Sequence, residues 1–297
     1  MQRLQKEKFI TRFSAEHNPA YSVGLDEPFR VETYDCYGGK ITDPRQLRTE
    51  VDIPFINPAT GPIYIEGLQK GDTLCVEIQD IQFNETGVMV LYPGMGALGE
   101  EVKKTDTRIV QVRDGKIWFN SRLQLPTRPM IGVIGVAPAE GAVLCETPGD
   151  HGGNMDTKWI TIGSKLYLPV FHDGGLLALG DLHASMGDGE LDGSGVEIGG
   201  LVTLCATKQA GNSPIRTPVV ETSSTWYIIA SGKSIEAAAK KGMKTAVERL
   251  AMFHHLSFND AYRLLSATCG LEICQIVNPL VTVRIAVPKE VLPNPFS

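Results

Sequence analysis

Apolar and polar residues alternate along most of the first 230 positions, a pattern typical of strands with one buried face. The alternation is clear at 73–83, and it returns near the end of the chain at 280–287. The Asp114-Gly115 turn joins 107–112 to 117–119, which predicts a hairpin. Other strands are predicted at 63–65, 130–136, 164–171, 176–183, 196–207 and 225–230.

The period of the pattern changes after residue 230. Ser234 is a suitable N-cap, and apolar residues then follow at helical spacing: Ala239, Met243, Ala246, Leu250 and Phe253. A second helix is predicted from Ser257, and Gly270 ends it. We therefore predict a mainly β fold, a sandwich or barrel-like core over 1–230. Residues 231–297 form a small α/β portion with two helices, packed on the same unit.

Composition narrows the function classes. The chain has 297 residues, of which 42% are hydrophobic, and this suffices for a sizeable core. A net charge of -6 without a basic run argues against nucleic acid. No uninterrupted apolar stretch could span a membrane, and the first residues lack a signal-peptide core, so we expect a cytoplasmic protein. The six cysteines form no C-x-x-C pair and are interpreted as buried thiols.

Histidine and carboxylates concentrate between Gly149 and Gly200. Asp181 and His183 end an apolar run, and on a strand both point to one face, so they are the first candidates for metal ligands. His151 and Asp156 flank a glycine-rich turn and are the second pair of candidate ligands, His151 also being a candidate catalytic residue. Asn154, in the same turn, could orient an amide or a water molecule. Turn formation alone explains Asp and Gly, but it does not explain repeated His beside Asp.

Glu190 and Glu197 are the candidate general bases, and the sequence does not decide between them. The segment from Asp188 resembles the start of an EF-hand loop, but Gly199 stands where the bidentate Glu is required. A looser calcium site of oxygen ligands stays open. The chain has no H-E-x-x-H, G-x-S-x-G or P-loop motif, and no serine or cysteine is in an activating context.

Taken together, three central motifs resemble the signature of the acetamidase/formamidase family. They are residues 149–156 (GDHGGNMD), 180–183 (GDLH) and 187–190 (GDGE). Weaker similarity lies at 61–66, 71–73, 131–138 and 277–279, so the resemblance covers nearly the whole chain. It implies hydrolysis of a short aliphatic amide, acetamide or formamide, to ammonia and a carboxylate. It also implies a β-rich fold and an oligomer, expected to be a homodimer.

The residues supply a compatible mechanism. A divalent metal, zinc first and calcium second, would be held by His and carboxylates, would acidify water and would polarise the amide carbonyl. Two alternatives remain open at this point. One is a β-sandwich protein that binds calcium and a carbohydrate; the other is a metal-dependent enzyme acting on another small carbonyl substrate, such as a decarboxylase. Two histidines converging on one metal would favour the enzyme.

Bulky residues near the motifs are expected to limit the acyl group of the substrate. Those residues are Met155, Trp159, Met186 and Leu191. A narrow apolar slot discriminates between short acyl groups only gradually, by about 1–3 kcal/mol per methylene. The sequence therefore predicts activity that falls from formamide or acetamide to propionamide and is near background for benzamide.

Overall fold

The computed structural model describes residues 1–209 and 214–296, and most of these residues lie in strands or their connections. In chain order the strands are β1 (Gln2–Leu4), β2 (Phe9–Ile10), β3 (Arg12–Ser14), β4 (Tyr21–Val23), β5 (Pro28–Thr33), β6 (Ala59–Ile65), β7 (Thr73–Phe83), β8 (Thr86–Leu91), β9 (Asp106–Arg113), β10 (Lys116–Trp118), β11 (Gln124–Pro126), β12 (Met130–Gly135), β13 (Ala142–Leu144), β14 (Gly152–Asn154), β15 (Lys165–Pro169), β16 (Leu177–His183), β17 (Glu197–Ile198), β18 (Gly200–Lys208), β19 (Val219–Glu221), β20 (Thr225–Gly232), β21 (Gly270–Gln275) and β22 (Val281–Pro288). A short 3₁₀ turn spans Gly99–Glu101, and the helices are α1 (Ile235–His254) and α2 (Phe258–Thr268). The predicted mainly β fold with two helices near the C-terminus is confirmed.

Two large sheets and one small one contain the described strands. The first has the order β1-β5-β18-β7-β15-β19-β20-β22-β21. The second has the order β11-β10-β9-β8-β17-β16-β12-β14, with β6 pairing β16 and carrying β2 and β4. A separate pair joins β13 to β3. Neither large sheet closes on itself, so the architecture is layered rather than a closed barrel.

The main hydrophobic core lies between the two large sheets. Val76 and Val202 of the first sheet belong to the same buried cluster as Ile131 and Leu182 of the second. Burial of these faces explains the two-residue alternation in the sequence, because successive strand side chains point to opposite faces. At the centre, β12 and β16 are buried over their full lengths, so both read as continuous apolar runs.

Both helices begin as the sequence predicts. The Ser234 hydroxyl accepts a hydrogen bond from the Ala237 amide at 3.2 Å, and Ser257 caps α2 in the same way through the Asp260 amide. Helix α1 packs on β20 and β22 and buries Val247 and Leu250 in a second apolar cluster. Among the described residues, neither helix combines the length and apolar character needed to cross a lipid bilayer.

One predicted strand is divided in the structure, and the division matters for the site. The sequence predicts a single strand over 196–207, but the chain leaves β17 in the second sheet and enters β18 in the first. Gly199 and Gly200 permit this crossing. A Cβ on Gly199 would lie 2.9 Å from the Thr33 carbonyl oxygen, and one on Gly200 would lie 2.3 Å from that of Gln82. The crossing separates Glu197 from the rest of the predicted strand and places it beside β16.

Candidate active site

His183 lies at the centre of a buried group of carboxylates. Its Nε2 is 3.2 Å from Oε2 of Glu197, 3.5 Å from Oδ1 of Asp181 and 4.0 Å from Oε1 of Glu190. The strand register accounts for part of this, since Glu197 on β17 pairs directly with His183 on β16. Asp156, just after β14, also belongs to the group, because its carboxylate lies within 4.8 Å of ligand atoms of His183 and Glu190. The structure thus brings together five of the predicted site residues from three parts of the chain.

Two glycines allow the group to be this compact. A Cβ on Gly132 would lie 2.6 Å from both Oδ1 of Asp156 and Oδ2 of Asp181. A Cβ on Gly195 would lie 2.6 Å from the imidazole ring of His183. Real Cβ atoms do not approach other atoms so closely, so these positions accept only glycine while the carboxylates and the ring stay where they are.

Burial dominates the electrostatics of the group. It raises the pKa of Glu197 to about 7 and that of Asp156 to about 6, in the latter case with the Asp181 charge adding to the effect. Burial also raises the pKa of Glu190 well above its usual range. Burial alone would lower the pKa of His183, but Glu197 and Asp181 raise it well above its ordinary value. The cluster therefore retains protons near neutral pH unless a cation neutralises it.

Several polar atoms in the group have no hydrogen-bond partner. They are Oδ1 of Asp156 and of Asp181, Oε2 of Glu190 and of Glu197, and both ring nitrogens of His183. Although Nε2 of His183 is 3.2 Å from Oε2 of Glu197, their geometry is not that of a hydrogen bond. Buried polar atoms are costly when unpaired, and one cation could be bound by the carboxylate oxygens together with Nε2 of His183, the ring nitrogen that faces them. One imidazole with several carboxylates suits zinc, and the oxygen-rich set also suits calcium.

Hydrogen bonds fix the other oxygen of two of these carboxylates. Oε1 of Glu197 accepts from the Gly195 amide at 2.9 Å and from the Ser194 hydroxyl at 3.2 Å. Oδ2 of Asp156 accepts from Nδ2 of Asn278 at 2.6 Å. In both residues one oxygen is held by the protein and the other remains directed at the cluster.

An open cavity of about 340 Å³ leads to the cluster. Asp181, Glu190, Glu197 and Asn154 line its polar part, and Oδ1 of Asn154 has no hydrogen-bond partner. The apolar part of its wall includes Ile56, Tyr92, Met95 and Val277, which come from distant segments. A small polar molecule could therefore reach the carboxylates from solvent with an apolar end against this wall.

Comparison with known proteins identifies the family. The acetamidase/formamidase family model matches residues 2–146 and 139–294. The chain belongs to the acetamidase/formamidase family. It is similar to an acetamidase of Bacillus halodurans, with a TM-score of 0.95, 42% identity and 98% of each chain covered. It is also similar to a formamidase of Methylophilus methylotrophus, 28% identical over 80% of this chain and 72% of that protein, and to an acetamidase of Mycolicibacterium smegmatis, 47% identical over 62% of each.

Family membership confirms the resemblance seen in the sequence motifs and the prediction of an amidohydrolase of this type. The matched regions include every residue of the cluster around His183, from Asp156 to Glu197. A binding protein that merely holds calcium and a carbohydrate is therefore not favoured.

His151 lies apart from the other predicted site residues. Its ring packs edge-on against Phe13, with the centroids 5.1 Å apart. Burial lowers the pKa of His151 to about 4, so the ring is neutral. Of the two histidines expected to converge on a metal, only His183 belongs to a described group of three or more close ligand atoms. The Gly152 amide donates a hydrogen bond to the Gly149 carbonyl, so this N–H group is not available to bind a substrate oxygen.

The bulky residues expected around the acyl group lie elsewhere. Met155 is in the main core, Trp159 stacks on Tyr227, and Leu191 is 62% exposed. Met186 lines a separate depression beside Met89. Proximity in sequence to the motifs was a poor guide here, because neighbouring residues on strands and turns point to opposite sides.

The segment that resembles an EF-hand contains one cluster residue and one structural anchor. Glu190 enters the cluster, whereas Asp188 forms a two-bond ion pair with Arg284, at 3.0 and 2.7 Å. Lys158 also pairs with Asp188, at 2.6 Å. The sequence pattern could not separate these roles, because the partners of Asp188 come from distant segments.

Cys36 and Asn278 are the site residues that sequence reasoning missed. Cys36 lines the cavity, and its sulfur lies within 4.8 Å of ligand atoms of Asp181 and Glu197. Burial, with the Glu197 charge next in effect, raises the pKa of the Cys36 thiol well above its ordinary value, so the thiol stays protonated and is a poor nucleophile. For Asn278 a signal existed, since residues 277–279 are among the segments that carry the family resemblance.

Proposed function

We propose that the protein hydrolyses short aliphatic amides, acetamide or formamide, to ammonia and a carboxylate. The observation that carries the proposal is the buried cluster of four carboxylates around His183 at the end of an open cavity. Membership of the acetamidase/formamidase family supports the reaction class. Cys36, which lines the cavity, is a poor nucleophile because burial raises the pKa of its thiol well above the ordinary value.

A divalent cation, zinc before calcium, is the cofactor that this cluster supports best. Asp156, His183 and Glu190 form one close group of ligand atoms and would hold it. Asp181, whose Oδ1 is 3.5 Å from Nε2 of His183, would be a further ligand. When bound, such an ion acidifies water and polarises a carbonyl.

Glu197 is the general base in this proposal. Its Oε1 is held by Gly195 and Ser194, which leaves Oε2 free to accept a proton from the attacking water. In the metal-free protein burial raises the pKa of Glu197 to about 7. A cation bound beside it would lower that pKa, so that the carboxylate is ionised and able to take a proton. The proton taken from water is delivered to the leaving nitrogen, so that the products are ammonia and the carboxylic acid.

Asn154 and the cavity wall orient the substrate. The unpaired Oδ1 of Asn154 can accept an N–H of the substrate amide. The acyl group then lies toward Ile56, Tyr92, Met95 and Val277. An apolar wall formed by several side chains discriminates between acyl groups by a few kcal/mol at most, so activity should fall gradually as the acyl chain grows.

Release of ammonia from a panel of amides tests the proposal. Zinc-supplied protein should give its highest kcat/KM on formamide or acetamide, a lower value on propionamide and background release from benzamide. A highest kcat/KM on an aromatic or peptide amide would contradict the assignment. Release of CO₂ from small keto or dicarboxylic acids, with no ammonia from any amide, would favour a decarboxylase instead.

A further inference from the structure

The turn between β21 and β22 reaches from the C-terminal portion into the cluster. Asn278, in this turn, uses both hydrogens of its side-chain amide there. Nδ2 donates to Oδ2 of Asp156 at 2.6 Å and to the backbone carbonyl of Asn154 at 3.0 Å. Asn278 therefore ties together a carboxylate of the cluster and the strand end that precedes it.

The position of Asn278 is fixed in turn by Gln275. Gln275 is fully buried, and its Oε1 accepts hydrogen bonds from the backbone amides of Val277 and Asn278, both at 2.9 Å. Its Nε2 donates to the Leu280 carbonyl at 2.6 Å and to the Thr282 hydroxyl at 2.9 Å. Two accepted and two donated bonds satisfy the whole side-chain amide, so the turn is rigidly braced.

The arrangement determines which oxygen of Asp156 is available. Oδ2 is engaged by Asn278, whereas Oδ1 has no hydrogen-bond partner and lies beside Gly132. The backbone of Asp156 has a positive φ of 43°, a conformation that a non-glycine residue keeps only when its surroundings hold it. An amide is suited to this task, because it donates hydrogen bonds without adding a charge to the cluster.

We propose that Asn278 is a positioning residue that holds Asp156 in the orientation the site requires, and that Gln275 sets Asn278. What Asp156 does in that orientation rests on the proposed function, but how it is held does not. The C-terminal portion thereby contributes a positioning residue to a site whose carboxylates come from the second sheet and its connections.

Two substitutions at Asn278 test the proposal, with a matched control elsewhere. Asn278→Ala removes both hydrogen bonds, and Asn278→Asp replaces the donor with a carboxylate facing Asp156. Asn120→Ala is the control, because Asn120 also braces a turn through two hydrogen bonds, accepted from Arg122 and Leu123. The measurements are zinc affinity by competition with a chelator, kcat and KM on acetamide, and the crystal structure of each metal-free variant.

Both Asn278 variants should bind zinc about 10–100-fold more weakly or lose a similar factor in kcat, as expected for removing a partner of a ligand. KM should change much less than kcat, and Asp156 should adopt a different side-chain orientation in the crystal. Asn120→Ala should retain the wild-type values. Unchanged zinc affinity and kcat in Asn278→Ala, an equal loss in Asn120→Ala, or an unmoved Asp156 would each overturn the inference. Wild-type protein that neither binds zinc nor releases ammonia would instead overturn the proposed function, while the orientation of Asp156 would still test this one.

Discussion

Surroundings, rather than residue type, decide what each carboxylate of this protein can do. Asp188 and Glu190 are two residues apart in one motif, yet Asp188 pairs with Arg284 and Glu190 is buried in the cluster. The pKa of Asp188 is lowered, because hydrogen bonds from Arg284 and Lys158 outweigh its burial. The pKa of Glu190 is raised by burial and by Asp156. The sequence identified the stretch that holds these acids, but not the partners that set their chemistry.

Substitution of Glu197 tests its role as the general base. Glu197→Gln keeps the size of the side chain but cannot take a proton from water. We expect kcat for ammonia release from acetamide to fall by about 10²–10⁴-fold, the usual contribution of a general base, with little change in KM. Glu236→Gln is the control, since Glu236 is exposed at the start of α1. A kcat within a few-fold of wild type would exclude Glu197 as the base.

Glu197 should also make the folding stability of the metal-free protein depend on pH. In metal-free protein the pKa of Glu197 is raised from 4.5 to about 7 by burial, so the folded state binds its proton more tightly than the unfolded state. This contribution to stability is fully present below pH 4.5 and is lost as the pH rises through about 7. Urea unfolding of metal-free wild type and Glu197→Gln should therefore show a stability difference that shifts in favour of the variant between pH 4.5 and 7. A difference that is constant with pH would contradict the raised pKa.

Substitution of Gly132 tests how closely the carboxylates of the cluster are packed. In Gly132→Ala the new Cβ would lie 2.6 Å from oxygens of both Asp156 and Asp181, so at least one carboxylate must move. We expect this variant to lose most of its zinc affinity and its amidase activity. Gly270→Ala is the matched control, because its Cβ would lie an unstrained 3.7 Å from Cβ of Ala286. Equal activities of the two variants would contradict the close packing of Gly132 against the two carboxylates.

The sequence predicted strands, hairpins and helix starts correctly wherever a local signal, such as a turn or a cap residue, sets them. The strand predicted at 73–83 matches β7, the Asp-Gly hairpin matches β9 and β10, and the two caps start α1 and α2 as expected. The prediction failed at 196–207, where the apolar pattern continues but the chain changes sheets. Periodicity reports which side chains are buried and not which sheet buries them. The division at residue 230 stays a prediction.

Asp188 anchors the loop that carries Glu190 to a buried charge, and we expect this ion pair to contribute to the stability of the fold. Arg284 is fully buried, and Asp188 is its two-bond partner, with Glu272 as a second at 2.6 Å. Asp188→Ala should lower the free energy of unfolding by about 3 kcal/mol, because it leaves a buried charge short of a partner. Asp260→Ala, which breaks an exposed pair with Arg263, should cost much less, because solvent screens the pair. Equal losses in urea denaturation would contradict the anchoring role.

At the scale of the whole molecule, the site is assembled from segments far apart in the sequence. Cys36, the cluster from Asp156 to Glu197, and Asn278 meet because the second sheet and the β21–β22 turn converge there. The sequence located the central part, since its His and acids lie within about fifty residues. It could not locate the cavity wall of Ile56, Tyr92, Met95 and Val277, because only tertiary packing brings these residues together.

A zinc titration decides whether this cluster hydrolyses amides with a bound divalent ion. Chelator-treated protein is supplied with increasing zinc, and bound zinc per chain and the rate of ammonia release from acetamide are measured in the same samples. We expect no activity without metal, a rate that rises in proportion to bound zinc, and zinc binding that is lost in Asp181→Ala. Full activity in protein free of metal, or zinc binding that leaves the rate unchanged, would contradict it.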